Sequence, residues 1–132
     1  LTARRLPWLQ HPALCCGSFY GLNWANHQTP GYGRENGENT SGHRLYAFLR
    51  HARKARATLL IVCNFSPDHE AVTRVHIPRD AQNWAAKKPG TYRFCNLMAA
   101  EMPPIICDDQ ELDSEGLPIS VPAGKALILE WD

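Results

Sequence analysis

Between Arg44 and Pro67 the chain shows two hydrophobic patterns in succession. Leu45, Ala47 and Leu49 alternate with Tyr46, Phe48 and Arg50, the period of a strand with one apolar face. A basic turn follows, in which Arg53, Lys54 and Arg56 stand close to Arg50. Next comes Leu59-Leu60-Ile61-Val62-Cys63, a run with no polar position, which predicts a strand over 57–65 ending at Asn64-Phe65-Ser66-Pro67. Such a strand offers neither face to water, so both faces need cover. One can pack on the domain's own core. The other is expected to meet something larger.

Strand patterns recur downstream at short spacing. Thr73, Val75 and Ile77 alternate with Val72, Arg74 and His76, while Tyr92 and Phe94 share a face with Asn96 and leave Thr91, Arg93 and Cys95 on the other. Leu117, Ile119 and Val121 alternate with Pro118, Ser120 and Pro122, and prolines at every second position suit an edge strand. Ala123-Gly124 turns the chain into a last strand with Leu127, Leu129 and Trp131 on one side. A short strand between glycines is expected over 15–22. Residues 1–14 can form about two turns of helix at most, with Pro12 ending any helix that begins earlier. The Asn/Gly-rich stretch 23–43 and the acidic stretch 108–115 are expected as loops. The sum is an all-β domain, an antiparallel β-sandwich of about seven to eight strands with Greek-key connections.

Composition narrows this further. Nine glycines and ten prolines in 132 residues favour short strands over long helices. At this length one domain buries about two thirds of its unfolded surface. Fourteen basic against thirteen acidic side chains leave no excess of the kind duplex binding needs, so no nucleic acid partner is expected. No window reaches the ~18 apolar residues of a membrane span, and no secretory signal follows Leu1, so no membrane partner is expected. Five cysteines (Cys15, Cys16, Cys63, Cys95, Cys107) lack C-x-x-C spacing. They read as reduced, small apolar side chains of a cytoplasmic protein, with a disulfide or metal framework as the alternative. The chain begins at Leu1 and stops just after a strand at Trp131-Asp132, which suggests a piece of a longer polypeptide.

Candidate chemistry is sparse. Six histidines include no pair at helical metal spacing, and they read as scattered surface or turn residues. Asp108, Asp109, Glu111, Asp113 and Glu115 read as a solvated acidic loop rather than a calcium site, because the D-x-D-x-D-G pattern is missing. The Arg50–Arg56 cluster is either a phosphate or nucleic-acid contact or a charged turn that keeps a sheet edge soluble, and the neutral total charge without aromatic interleaving favours the turn. No G-x-S-x-G elbow surrounds any serine. No metal, cofactor or catalytic residue is expected. Flat aromatic rings beside amides can stack on the apolar face of a sugar. Trp24 and Tyr32, with Asn23, Asn26, Gln28 and Asn36 nearby, and Trp84 after Gln82-Asn83, have that mixture and are the candidate carbohydrate-binding residues. The competing role for these rings is to plug the end of the sandwich or an interface. Trp8 and Trp131 are expected to pack.

The order of these pieces resembles the C-terminal β-domain of the α-amylase family, glycoside hydrolase family 13. Arg4-Arg5, His11-Pro12-Ala13-Leu14 and Gly17 stand as in that family's exit from its last barrel helix. Tyr46-Ala47-Phe48-Leu49-Arg50 is similar to its aromatic-x-Phe-x-Arg strand, Leu59–Ser66 to its apolar strand ending Asn-Phe-Ser, and Leu117, Pro118, Pro122 and Leu129 to its closing pattern. The loop 23–43 and the acidic segment 108–115 depart from it. The resemblance implies a division into 1–14, the end of a barrel helix or linker, and 15–132, the β-sandwich. It also implies that the catalytic carboxylates lie on a (β/α)8 barrel of the same polypeptide, since this chain has none of the barrel's segments. The implied function is that of a non-catalytic accessory domain of a glycosidase or glucanotransferase acting on α-glucans. It would stabilise the barrel and aid carbohydrate binding. A self-standing glucan-binding module and an immunoglobulin-like protein-interaction sandwich remain the alternatives.

Overall fold

The computed structural model describes residues 11–27, 29, 32 and 44–132. The alternation beginning at Leu45 forms β2 (Leu45–Ala52), and the apolar run forms β3 (Ala57–Asn64). They pair antiparallel with Phe48 opposite Ile61 and Leu49 opposite Leu60. Residues opposite one another share a face, so Leu45, Ala47, Leu49, Leu60 and Val62 point inward. Tyr46, Phe48, Arg50, Leu59, Ile61 and Cys63 point to the outer face. β1 (Ser18–Gly21) flanks β2, while β8 (Ala126–Trp131), β5 (Thr91–Asn96) and β6 (Ile105–Asp108) continue the sheet beyond β3. The resulting order is β1-β2-β3-β8-β5-β6. A second sheet of two strands, β4 (Ala71–Val75) and β7 (Leu117–Val121), lies over the inner face. This is an all-β sandwich, as the alternation predicts.

The main core fills the space between the sheets around Trp131, Phe94, Leu129, Leu49, Leu60, Leu117 and Ile119. Phe94 stacks on Trp131 at 5.4 Å and Tyr92 meets its edge at 5.5 Å. In β7 the exposed positions are Pro118 and Ser120, so the proline that could not complete a ladder sits where the strand has an open side. Asn64 ends β3 because its amide turns inward. It donates to the carbonyls of His69 and Val121 at 2.9 and 3.1 Å and accepts from Ser66 N at 3.0 Å. The Asn-Phe-Ser motif is therefore a strand terminator that ties β3 to the end of β7.

Several local expectations are corrected. Pro12 opens α1 (Pro12–Cys16), where its missing N–H is harmless at the first position, and any helix that begins before it lies outside the described residues. His11 caps it, accepting from Ala13 N at 3.1 Å, and Cys15 and Cys16 belong to this helix rather than to the first strand. The 14/15 boundary thus falls inside α1. Gly17 follows because a Cβ there would lie 2.1 Å from the Ala13 carbonyl oxygen. The acidic stretch is not a loop: Asp108 caps α3 (Asp109–Ser114), accepting from Glu111 N at 2.8 Å. Its carboxylates favour the positive end of a helix. α2 (Arg79–Trp84) and β6 are additional elements. Trp8 lies outside the described residues.

Candidate functional site

Two surfaces of the large sheet carry the residues that bear on function. The outer face holds a second apolar cluster of Ala13, Ala52, Leu59, Ile61 and Ile128, with Leu14, Phe48, Cys63 and Leu97 against it. α1 lies on this face, held by Arg50, whose guanidinium donates to the carbonyls of Ala13 and Leu14 at 3.2 and 3.1 Å. Arg50 is thus no member of the turn cluster: it serves the Leu14 carbonyl at the helix end and adds a second donor to the Ala13 carbonyl, which also accepts from Gly17 N at 3.1 Å. His11 Nε2 completes the clamp at 2.7 Å from Glu130. Beside α1, Phe19, Tyr46 and Phe48 form a ring triad with centroids 5.0 to 6.3 Å apart, and Phe19 is 49% exposed. A sandwich that met only water here would carry polar side chains at those positions.

On the inner side, near the β1 edge, the candidate sugar-binding rings part company. A single 3₁₀ turn (Asn23–Ala25) presents Trp24, which is 53% exposed. Trp84 at the end of α2 is partly buried against the core. Tyr20 sits between them, 6.5 Å from Trp24 and 5.2 Å from Trp84, with interplanar angles of 61° and 45°. His51 extends the row, 6.0 Å from Trp84. Tyr20 was missed from the sequence; its place between two glycines in an alternating strand was the only signal. Tyr32 is fully buried and shows no ring face to a ligand, which corrects its place among stacking residues. Its hydroxyl donates to Asn23 Oδ1 at 2.6 Å, and burial pushes its pKa well above the usual phenol value.

The neighbouring amides are likewise occupied within the fold. Asn23 donates to the Leu45 carbonyl at 3.0 Å and accepts from Ala47 N at 3.1 Å, pinning the turn to β2. Asn26 is fully buried. It donates to the carbonyls of Leu22 and His76 at 2.8 and 3.2 Å and accepts from His76 N and the Thr29 hydroxyl at 2.8 and 3.0 Å. These two amides position Trp24 and are not free for sugar hydroxyls. Gln28 and Asn36 lie outside the described residues.

The histidines are not simply scattered over the surface. His51 is buried with its Nδ1 2.8 Å from the Thr58 hydroxyl, and desolvation followed by the charges of Lys87 and Arg53 lowers its pKa. His76 bridges to the Ser114 carbonyl. Among the described residues no group of three or more His, Cys, Asp or Glu converges to hold a metal ion. Asp109 is nearly buried and pairs with Arg79 at 2.7 Å, a hydrogen bond that holds its carboxyl below the usual range. Cys63, Cys95 and Cys107 form no disulfide, and burial pushes Cys107 up to about 11. No helix among the described residues is long and apolar enough to cross a membrane.

This geometry is that of a two-sheet antiparallel domain with an apolar cluster on the outer face of its large sheet. A family model described as the all-β C-terminal domain of α-amylase matches residues 37–132. The chain belongs to that family of C-terminal domains. No curated protein matches it.

Proposed function

We propose that this chain is the non-catalytic accessory domain of an α-amylase-family enzyme acting on α-glucans. It docks on the catalytic (β/α)8 barrel through the outer face of its large sheet and offers a secondary glucan contact at Trp24 and Trp84. The single observation that carries the docking is the outer face itself. Phe19, Tyr46 and Phe48 extend the apolar cluster past α1, where a free sandwich would be polar. Burying one such ring contributes about 2 kcal/mol. Its proposed location is the cytoplasm, in keeping with five cysteines that lack C-x-x-C spacing.

The test is made in the enzyme that carries this domain. Phe19→Asp with Tyr46→Asp is expected to lower its melting temperature and expose the junction to protease, while the circular dichroism of the 132-residue chain alone stays unchanged. An enzyme as stable and as protease-resistant as the parent would overturn the docking. Maltoheptaose binding to the chain tests the second contact: it is expected to fall on Trp24→Ala. Retention of full binding would remove Trp24 from the site.

A further inference from the structure

Next to the aromatic row lies a cleft of about 330 Å³ lined by His51, Arg53, Arg56, Ala85, Ala86, Lys87 and Lys88. Two segments far apart in sequence build it, the β2–β3 turn and the loop after α2. Four of the lining side chains are cationic and none is acidic. The sequence offers only half of this cluster, because Lys87 and Lys88 lie some thirty residues beyond the turn and arrive there through α2. Arg53 and Arg56 are exposed, whereas Lys87 is half-buried. Its ammonium donates to the Trp131 carbonyl at 3.0 Å and stands 5.4 Å from that ring's centre. Desolvation lowers the Lys87 pKa, and the carboxylates of Asp132 and Glu130 act against that shift from behind.

Both lips of the cleft carry unusual backbone. Arg56 and Ala86 have φ of 51° and 59°, and they are the non-glycine residues of positive φ among those described. At Ala86 the cause is visible. Ala86 N donates to Asn83 O at 3.0 Å and Lys87 N to Gln82 O at 2.9 Å, the helix-ending motif that glycine normally serves. Arg56 closes the hairpin turn, its N–H 3.3 Å from the Arg53 carbonyl. Each position puts a side chain where glycine would be less strained, at a cost of about 1 kcal/mol. The two strained residues face one cleft. Strain of this kind collects at ligand clamps.

We propose that the cleft binds a phosphomonoester borne on a sugar, with the phosphate held by Arg53, Arg56 and Lys88 and the sugar ring directed toward His51 and Trp84. The phosphate is the class of anion that fits, because arginine forks match its oxygens and several cations can share two charges. The volume lies at the small end of ligand clefts, about the size for one sugar unit. His51 at the floor contacts Trp84, so the cationic and aromatic surfaces are continuous. The identity of the sugar as part of an α-glucan rests on the function proposed above; the anion site itself rests on the cleft.

The experiment titrates the 132-residue chain with glucose 6-phosphate, inorganic phosphate, glucose and maltoheptaose at low salt. Glucose 6-phosphate is expected to bind more tightly than glucose, and Arg53→Gln with Lys88→Gln to weaken it about tenfold or more. Both residues are exposed, so an unchanged melting temperature verifies the fold. The same pair should leave maltoheptaose binding intact, and Trp24→Ala should do the reverse. Failure of the unmutated chain to bind maltoheptaose, with glucose 6-phosphate still bound, would overturn the glucan reading while the anion site stands. Inorganic phosphate binding as tightly as glucose 6-phosphate would overturn the sugar part. Equal affinity for glucose and glucose 6-phosphate, or a phosphate affinity indifferent to the double variant, would overturn the site. Tight binding of duplex DNA with no response to either phosphate would replace it with a polyanion surface.

Discussion

Replacing Asn26 by alanine should be among the most damaging single changes to this domain. The side chain is fully buried and makes two donor and two acceptor bonds, all between 2.8 and 3.2 Å. A net value of about 0.5 kcal/mol for each of the four bonds, plus about 1–3 kcal/mol for a buried N–H left without a partner at His76, gives a loss of about 3–5 kcal/mol. The Leu22 carbonyl suffers less because it also accepts from Ala25 N at 3.1 Å. A urea titration of the 132-residue chain, followed by tryptophan fluorescence, reads the change. With a slope of about 2 kcal/mol per molar urea the midpoint should fall by about 2 M. Thr29→Val removes only the hydroxyl side of the network and should cost about 1 kcal/mol. A midpoint shift for Asn26→Ala below about 0.5 M, or one no larger than that of Thr29→Val, would refute the assignment of Asn26 as the hub joining the Trp24 turn to β4.

Two further outcomes follow from local geometry. Gly17→Ala should destabilise by about 2 kcal/mol or more, since the new methyl would meet the Ala13 carbonyl and force α1 off the outer face; unchanged thermal melting would contradict this. The Asp109 carboxyl is held below its unfolded-state pKa by Arg79, so its contribution is complete above about pH 4 and disappears as pH falls through the lowered folded value. Asp109→Asn should therefore flatten the acid limb of a stability–pH curve, and a limb as steep as that of the parent would show that other carboxyls govern it.

The strands were legible wherever a strand exposes one face, because alternation records burial directly: Leu45 to Leu49, Thr73 and Val75, and Leu117 to Val121 are each buried on the side the pattern names. β6 was not expected, for Ile105-Ile106-Cys107 is too short an apolar run to show a period. The acidic stretch misled because charge suggests solvation, whereas Asp108 and Glu111 form a reciprocal cap at a spacing of three. The amides near Trp24 misled for a related reason: a buried turn needs internal hydrogen-bond partners, and Asn23 and Asn26 supply them.

By itself, the sequence determined the sandwich class, the strand faces, the terminator at Asn64 and the need for cover on both faces of β3, whose outer side α1 covers within the chain. All of these are set by local period and side-chain chemistry. Tertiary structure alone decided which rings remain exposed, that Tyr32 is core, and that Lys87 and Lys88 join Arg53 and Arg56 in one cleft. Those outcomes depend on contacts between segments dozens of residues apart. Burial and charge add in space, and no pattern along the chain records that sum.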